Sequence, residues 1–162
     1  MLKKIFKLIF FLAVCEVAGL VGAVFTMPAI KSGWYASLVK PNFAPPNWLF
    51  APVWTALFVL MGVAAFLVES KVVEDSKKKK EIKVGLTIFF SQLVLNVFWS
   101  VIFFGWRSLT GGLVEIVFLW LAILATMVAF ARVSKVAAWL LAPYLFWVSF
   151  AAYLNYVLLR LN

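Results

Sequence analysis

Histidine is absent from the 162 residues, cysteine occurs once, as Cys15, and only six residues are acidic. These gaps exclude a His-based catalytic triad, a histidine proton relay, a clustered zinc site and an internal disulfide. Charge is scarce too, at 13% of residues, where about 25% is ordinary for a soluble domain. Apolar residues fill the space, at 66% against roughly 45–50% in soluble proteins, and the mean hydropathy is +1.07. A chain long enough for one domain has too little interior to hide that much apolar surface. The excess needs lipid as its solvent, and a soluble enzyme is excluded.

A membrane helix takes about 20 predominantly apolar residues to cross roughly 30 Å of hydrocarbon. Three stretches of that length carry no charge: Pro41–Val68, Val84–Trp106 and Val136–Leu159. Two more, Leu8–Met27 and Ser108–Ala131, contain one acid each, Glu16 and Glu115. The sequence therefore predicts an all-α membrane protein, a single domain over residues 1–162. Its five transmembrane helices fall near 5–27, 49–69, 82–104, 108–130 and 135–159, with an aromatic, Pro-rich loop at 28–48 between the first two. Lys3, Lys4 and Lys7 before an apolar run could mark a signal peptide, but Glu16 interrupts that run and its length suits a span.

Placing the N-terminus inside puts eleven of the 15 cations on the inner side. Lys31, Lys40, Arg107 and Arg160 are left outside. Because cytoplasmic segments retain Lys and Arg, this predicts N-in and C-out, and a multi-pass protein of a prokaryotic cytoplasmic membrane. The basic balance then means topology and attraction to anionic lipid. No nucleic-acid partner is expected, since no basic surface interleaved with aromatics lies outside the spans. The run Lys71–Lys83 reads as a solvated inner loop, and Gly105–Thr110 as a tight outer turn.

The first loop differs from the others. Pro41, Pro45 and Pro46 stiffen it, and Trp34, Tyr35 and Leu38 have the spacing of one short helical turn. Such a loop is either an interfacial aromatic belt or a lid lying across a cavity. On helix three, Gln92, Asn96, Trp99 and Phe103 share one face. Amides at membrane depth are costly toward lipid, so this face should point inward, either joining helices or lining a pocket. On helix five, Pro143, Trp147 and Ala151 follow at intervals of four, a bulky indole flanked by a kink and a small residue. This spacing predicts a slot, with Trp54 of helix two beside it. Trp120 is expected to face outward.

Glu16 and Glu115 should face the interior, because a charge at the bilayer centre costs about 2.5–3.5 kcal/mol even on the lenient scale. No intramembrane Lys, Arg or His is available to complete a relay. Gly19 with Ala23, and Ala18 with Gly22, form pairs that permit close helix contact, within one chain or between two.

Three ordered signatures resemble the TspO family, whose members are called tryptophan-rich sensory proteins, translocator proteins or peripheral benzodiazepine receptors. They are the run from Trp34-Tyr35 through Lys40-Pro41, Pro45-Pro46 and Trp48 to Trp54; then Gln92, Asn96, Trp99 and Phe103-Phe104; then Pro143-Tyr144, Trp147, Phe150-Ala151 and Leu154-Asn155. The resemblance implies a receptor or sensor, usually a homodimer. Its intra-bundle cavity takes porphyrin, haem and similar flat apolar ligands beneath the first loop. Carried over by motif position, the ligand-binding residues are Tyr35, Pro45, Trp54, Asn96, Trp99, Trp147, Ala151 and Leu154. Trp54 and Trp147 match the tryptophans that some bacterial relatives need for light-dependent porphyrin breakdown, and they are the catalytic candidates if this chain is an enzyme. Leu154, Tyr156 and Arg160 fit a cholesterol-recognition pattern that is too permissive to use.

No cofactor is required on this reading, and porphyrin or haem enters as ligand. Without histidine there is no ordinary axial ligand for haem iron. Neither Cys15 nor a methionine is expected on the pocket face, so the macrocycle would be recognised by stacking. The sensor reading competes with light- and oxygen-dependent porphyrin degradation, with transport of a lipid-like cargo, and with a purely structural subunit. An odd helix count without internal repeat argues against an inverted-repeat carrier.

Overall fold

A computed structural model describes residues 2–72 and 74–162. All regular structure among them is helical: α1 (Leu2–Lys31), α2 (Trp34–Ser37), α3 (Asn47–Glu69), α4 (Ser76–Ser100), a π-helical turn (Val101–Gly105), α5 (Leu109–Ala131), α6 (Lys135–Leu140) and α7 (Ala142–Leu161). Five spans are long and apolar enough to cross a membrane, with α4 and its π turn forming one and α6 with α7 another. The chain is an integral, multi-pass membrane protein, as its composition requires.

The helices close into a ring. Helix α1 packs between α3 and α4, α4 lies on α5, α5 on α6 and α7, and α6 returns to α3. Lipid supplies no hydrophobic drive between helices, so close fit must hold them together. Gly62 of α3 shows this: a Cβ there would stand 2.9 Å from the backbone Cα of Leu12 on α1. At Gly19 a Cβ would fall 2.5 Å from the Phe58 ring, and at Gly22 it would fall 3.1 Å from Ser100 Oγ. Both small positions of α1 therefore make contacts within one chain. At the lysine-rich end of the bundle Lys7 Nζ meets Glu69 Oε1 at 2.6 Å, tying α1 to α3.

Several element boundaries differ from those expected. Helix α1 runs through Pro28 to Lys31, since proline's own φ is helical and only one backbone donor is lost. The run Lys71–Lys83 is not all loop. Asp75 caps α4 by accepting from Lys77 N at 2.9 Å, and lysine is a good helix former, so Lys77–Lys80 become its exposed first turns. The fifth span is broken at Leu141. Pro143 has no N–H for a carbonyl one turn back, and it serves as an opening residue of α7. The turn at Gly105 is built from a wider helical turn, with Trp106 N donating to Val101 O at 2.8 Å. Arg107 then reverses the chain at φ 54°, and Ser108 caps α5 through Gly111 N.

Gly62→Val should destabilise the detergent-purified protein by about 1–3 kcal/mol, the usual cost of overpacking. A thermal melt compared with lipid-facing Phe118→Leu checks this. An equal midpoint in the two variants would mean that the α1–α3 contact is not tight.

Candidate functional site

The first loop lies across the bundle. Gly33 turns the chain at φ 77°, and the single turn of α2 sets Trp34 edge-on against Phe103 (5.9 Å between centroids) and Phe104 (6.4 Å). Tyr35 is buried against Phe104, Leu154 and Leu158. Burial raises the Tyr35 phenol above its ordinary range, so the docked loop favours the neutral ring. The Lys40 ammonium sits 4.7 Å from that ring. Farther along, Phe43 stacks on Tyr153 at 5.5 Å. Asn162 clamps the strap at both backbone atoms of one residue, accepting from Val39 N at 2.9 Å and donating to Val39 O at 3.1 Å. Arg107 donates to Ser32 Oγ at 3.3 Å.

Beneath this roof is a cavity of about 310 Å³ walled by α1, α3, α4 and the π turn. Helix α1 contributes a small-residue stripe, Gly19, Gly22 and Ala23, which leaves room for the void. Helix α3 supplies Phe50, Trp54 and Phe58, and α4 supplies Asn96, Trp99 and Ser100, with Phe104 and Tyr35 above. Trp54 stacks on Phe58 at 5.6 Å and meets the edge of Tyr144 at 6.1 Å. Trp99 stacks on Phe103 at 5.0 Å. Leu20, Ala51 and Thr55 line the cavity and are themselves exposed, so it opens sideways between α1 and α3.

The inward amides do both things that were left open. Asn96 donates to the Tyr144 hydroxyl at 2.9 Å, which donates to Gln92 Oε1 at 3.0 Å, while Gln92 Nε2 lies 3.9 Å from Met61 Sδ. That chain joins α4, α7 and α3, and Asn96 also forms part of the cavity wall.

Of the residues carried over by motif, Tyr35, Trp54, Asn96 and Trp99 come together on the cavity. The other four do not. Pro45 is half-buried in the stretch before α3. Trp147 packs on Phe50 at 6.0 Å and on Phe150 at 5.7 Å, and of these three rings Phe50 is the one on the cavity wall. Ala151 packs against the core, and Leu154 is buried beneath Tyr35. Around Trp147, where a slot was expected, the structure places the rings of Phe50 and Phe150.

Two further placements differ from expectation. Met27 does line the cavity, whereas Cys15 is buried away from it. Trp120 is half-buried and donates to Ser149 Oγ at 2.8 Å, while Trp139 is 74% exposed and is the better outward control. Sequence reasoning overlooked the α1 wall, because its glycines signalled contact and gave no sign of a void. Glu16 lines the cavity; Glu115 is buried elsewhere, with neither carboxyl oxygen hydrogen-bonded among the described residues.

A five-span bundle with an aromatic strap over a lateral cavity defines a multi-pass membrane protein with a roofed internal cavity. Residues 11–161 match the TspO/MBR family. The chain is 51% identical over 160 residues to Tryptophan-rich protein TspO of Chlorobaculum tepidum, covering 99% of this chain and 98% of that one. It is 35% identical to the Tryptophan-rich sensory protein of Cereibacter sphaeroides over 94% of this chain and 89% of the relative. The match to the human Translocator protein is 41% over 129 residues, 80% of this chain and 75% of the other. The chain belongs to the TspO/MBR family, as a membrane sensor or receptor.

Replacing Asn162 with Ala removes both clamps on Val39. Amide exchange of residues 38–46 should then rise by about tenfold, the equivalent of one or two net hydrogen bonds, with the spans unaffected. Unchanged exchange in that strap would show that ring packing alone holds it.

Proposed function

We propose that this protein binds flat, apolar, ring-shaped ligands, tetrapyrroles among them, and reports or regulates their level in the membrane. The carrying observation is the roofed cavity, with Trp54 and Trp99 on its walls. Its volume lies within the range of small-molecule sites, and it has the usual pattern of apolar lining with few polar groups. The side opening suits a ligand that partitions into lipid, and a purely structural subunit has no use for such a void. The names of the relatives, sensory protein and translocator protein, favour the same class. On this reading the lysine-rich end is cytoplasmic and the strap lies on the far side.

With no histidine and one thioether on the wall, stacking is the main source of affinity. Metal-free protoporphyrin and haem should bind with similar affinity. Trp54→Ala should weaken both by about tenfold, the loss of one aromatic contact and its buried area, and Trp139→Ala should change neither. Absorbance titration decides: much tighter haem binding with a shifted Soret band that disappears in Met27→Leu would establish iron ligation instead.

One contact favours a second reading, a light-driven porphyrin-degrading enzyme. Phe50 lines the cavity and touches Trp147, so that indole is one ring removed from a bound macrocycle. Under light and air, protoporphyrin absorbance should then fall with wild-type protein and with Trp139→Phe, and persist with Trp147→Phe. Equal loss in all three would reduce the effect to ordinary photobleaching.

A further inference from the structure

The cavity has electrically different ends. Its α1 wall runs from Glu16 to Ile30, about 21 Å at 1.5 Å per residue. Near the Ile30 end stand Tyr35, with the Lys40 ammonium against its ring, and Arg107, bonded to Ser32. At the opposite end, the floor, is Glu16. Its Oε1 is buried without a hydrogen-bond partner among the described residues, within a side chain that is half-buried overall, and the Lys7–Glu69 ion pair farther along α1 does not involve it. Two hydroxyls of the lining, Thr26 and Thr55, give their protons to the backbone carbonyls of Gly22 and Ala51. The lining residues next to Glu16 along α1, Gly19 and Leu20, are apolar. A buried acceptor left without a donor is costly, and a ligand that brings one recovers that cost.

We propose that Glu16 is a specificity-determining residue of this cavity. It selects flat apolar ligands that carry an ammonium or another N–H or O–H donor at the deeply inserted end. It also turns any ligand carboxylate toward the strap, where the cations are. The inference rests on the reading of the cavity as a ligand site and adds to it a charge preference and an orientation. For a tetrapyrrole, the acidic side chains would lie beneath the strap, at the end away from Glu16.

The protein's own charge makes the test sharp. A net charge of +9 attracts anions from a distance, so a preference for a cation can arise only from a local group. Three probes share one ring system: 1-pyrenemethylammonium, 1-pyrenemethanol and 1-pyreneacetate. Each is titrated into full-length protein in nanodiscs of neutral lipid, and binding is read by excitation transfer from tryptophan, with Trp54→Phe locating the signal. The wild type should bind the ammonium about tenfold more tightly than the carboxylate, the scale of one charge-assisted hydrogen bond. Glu16→Gln should reduce that ratio to near one and leave the alcohol unchanged. Carboxylate binding as tight as ammonium in the wild type, or a ratio unaltered in Glu16→Gln, overturns the proposal while leaving the cavity reading intact. Absence of transfer from Trp54 to any of the three probes removes the cavity reading and this proposal with it. Should Glu16→Gln fail to fold, the order of the three probes on the wild type remains decisive.

Discussion

A polar group in this bundle cannot turn to water, and that constraint organises the interior. The hydrocarbon phase offers no partner to an amide or a hydroxyl, so such groups turn to another helix or to a void, or, like Thr26 and Thr55, to a carbonyl of their own helix. Gln92 and Asn96 follow the first course through Tyr144, and their hydrogen bonds join α4 to α7 where apolar packing alone would fix no register. Glu16 follows the second, on the wall of the cavity. The same constraint explains why every backbone excursion is short and locally bonded. The break before Pro143 and the wide turn at Val101–Gly105 both keep their carbonyls near new donors.

The cavity exists because side-chain sizes are unevenly distributed around the ring. Helix α1 presents glycine and alanine where α3 and α4 present indole and phenyl rings. Deeper in the bundle this allowance meets Gly62 of α3, which lies against the backbone of Leu12 on α1 and closes the gap. Toward the strap it leaves space, since Trp54 and Trp99 stack on Phe58 and Phe103 of their own spans and do not reach across. The strap closes the end by aromatic contact, and the paired hydrogen bonds of Asn162 fix its height. Rigid walls and a docked roof reduce the ordering a ligand would otherwise have to impose.

The aromatic content therefore has two uses. Rings around Phe103, Phe104 and Tyr35 hold the roof, and rings around Trp54 and Phe50 wall the void. Trp147 belongs to neither set outright: it touches Phe50 of the cavity wall without lining the cavity itself.

Five spans, their approximate limits and the inward face of α4 were all legible in the sequence, because lipid imposes a minimum length of apolar helix and penalises polar side chains facing outward. The short turn of α2 was legible as well, from the spacing of Trp34, Tyr35 and Leu38. Element ends were read less well: local capping by Asp75 and the helical φ of Pro28 prolonged α4 and α1 beyond the limits set by hydropathy. Motif position brought Pro45, Trp147, Ala151 and Leu154 into one set with Tyr35, Trp54, Asn96 and Trp99, but only the last four share the cavity wall. Which ring stands between two others depends on rotamers and helix rotation across non-local contacts, and periodicity along a single helix contains no such information. The glycines of α1 show the same limit: sequence marks where a helix is thin, and only the assembled bundle decides whether a neighbour or an empty space lies against it.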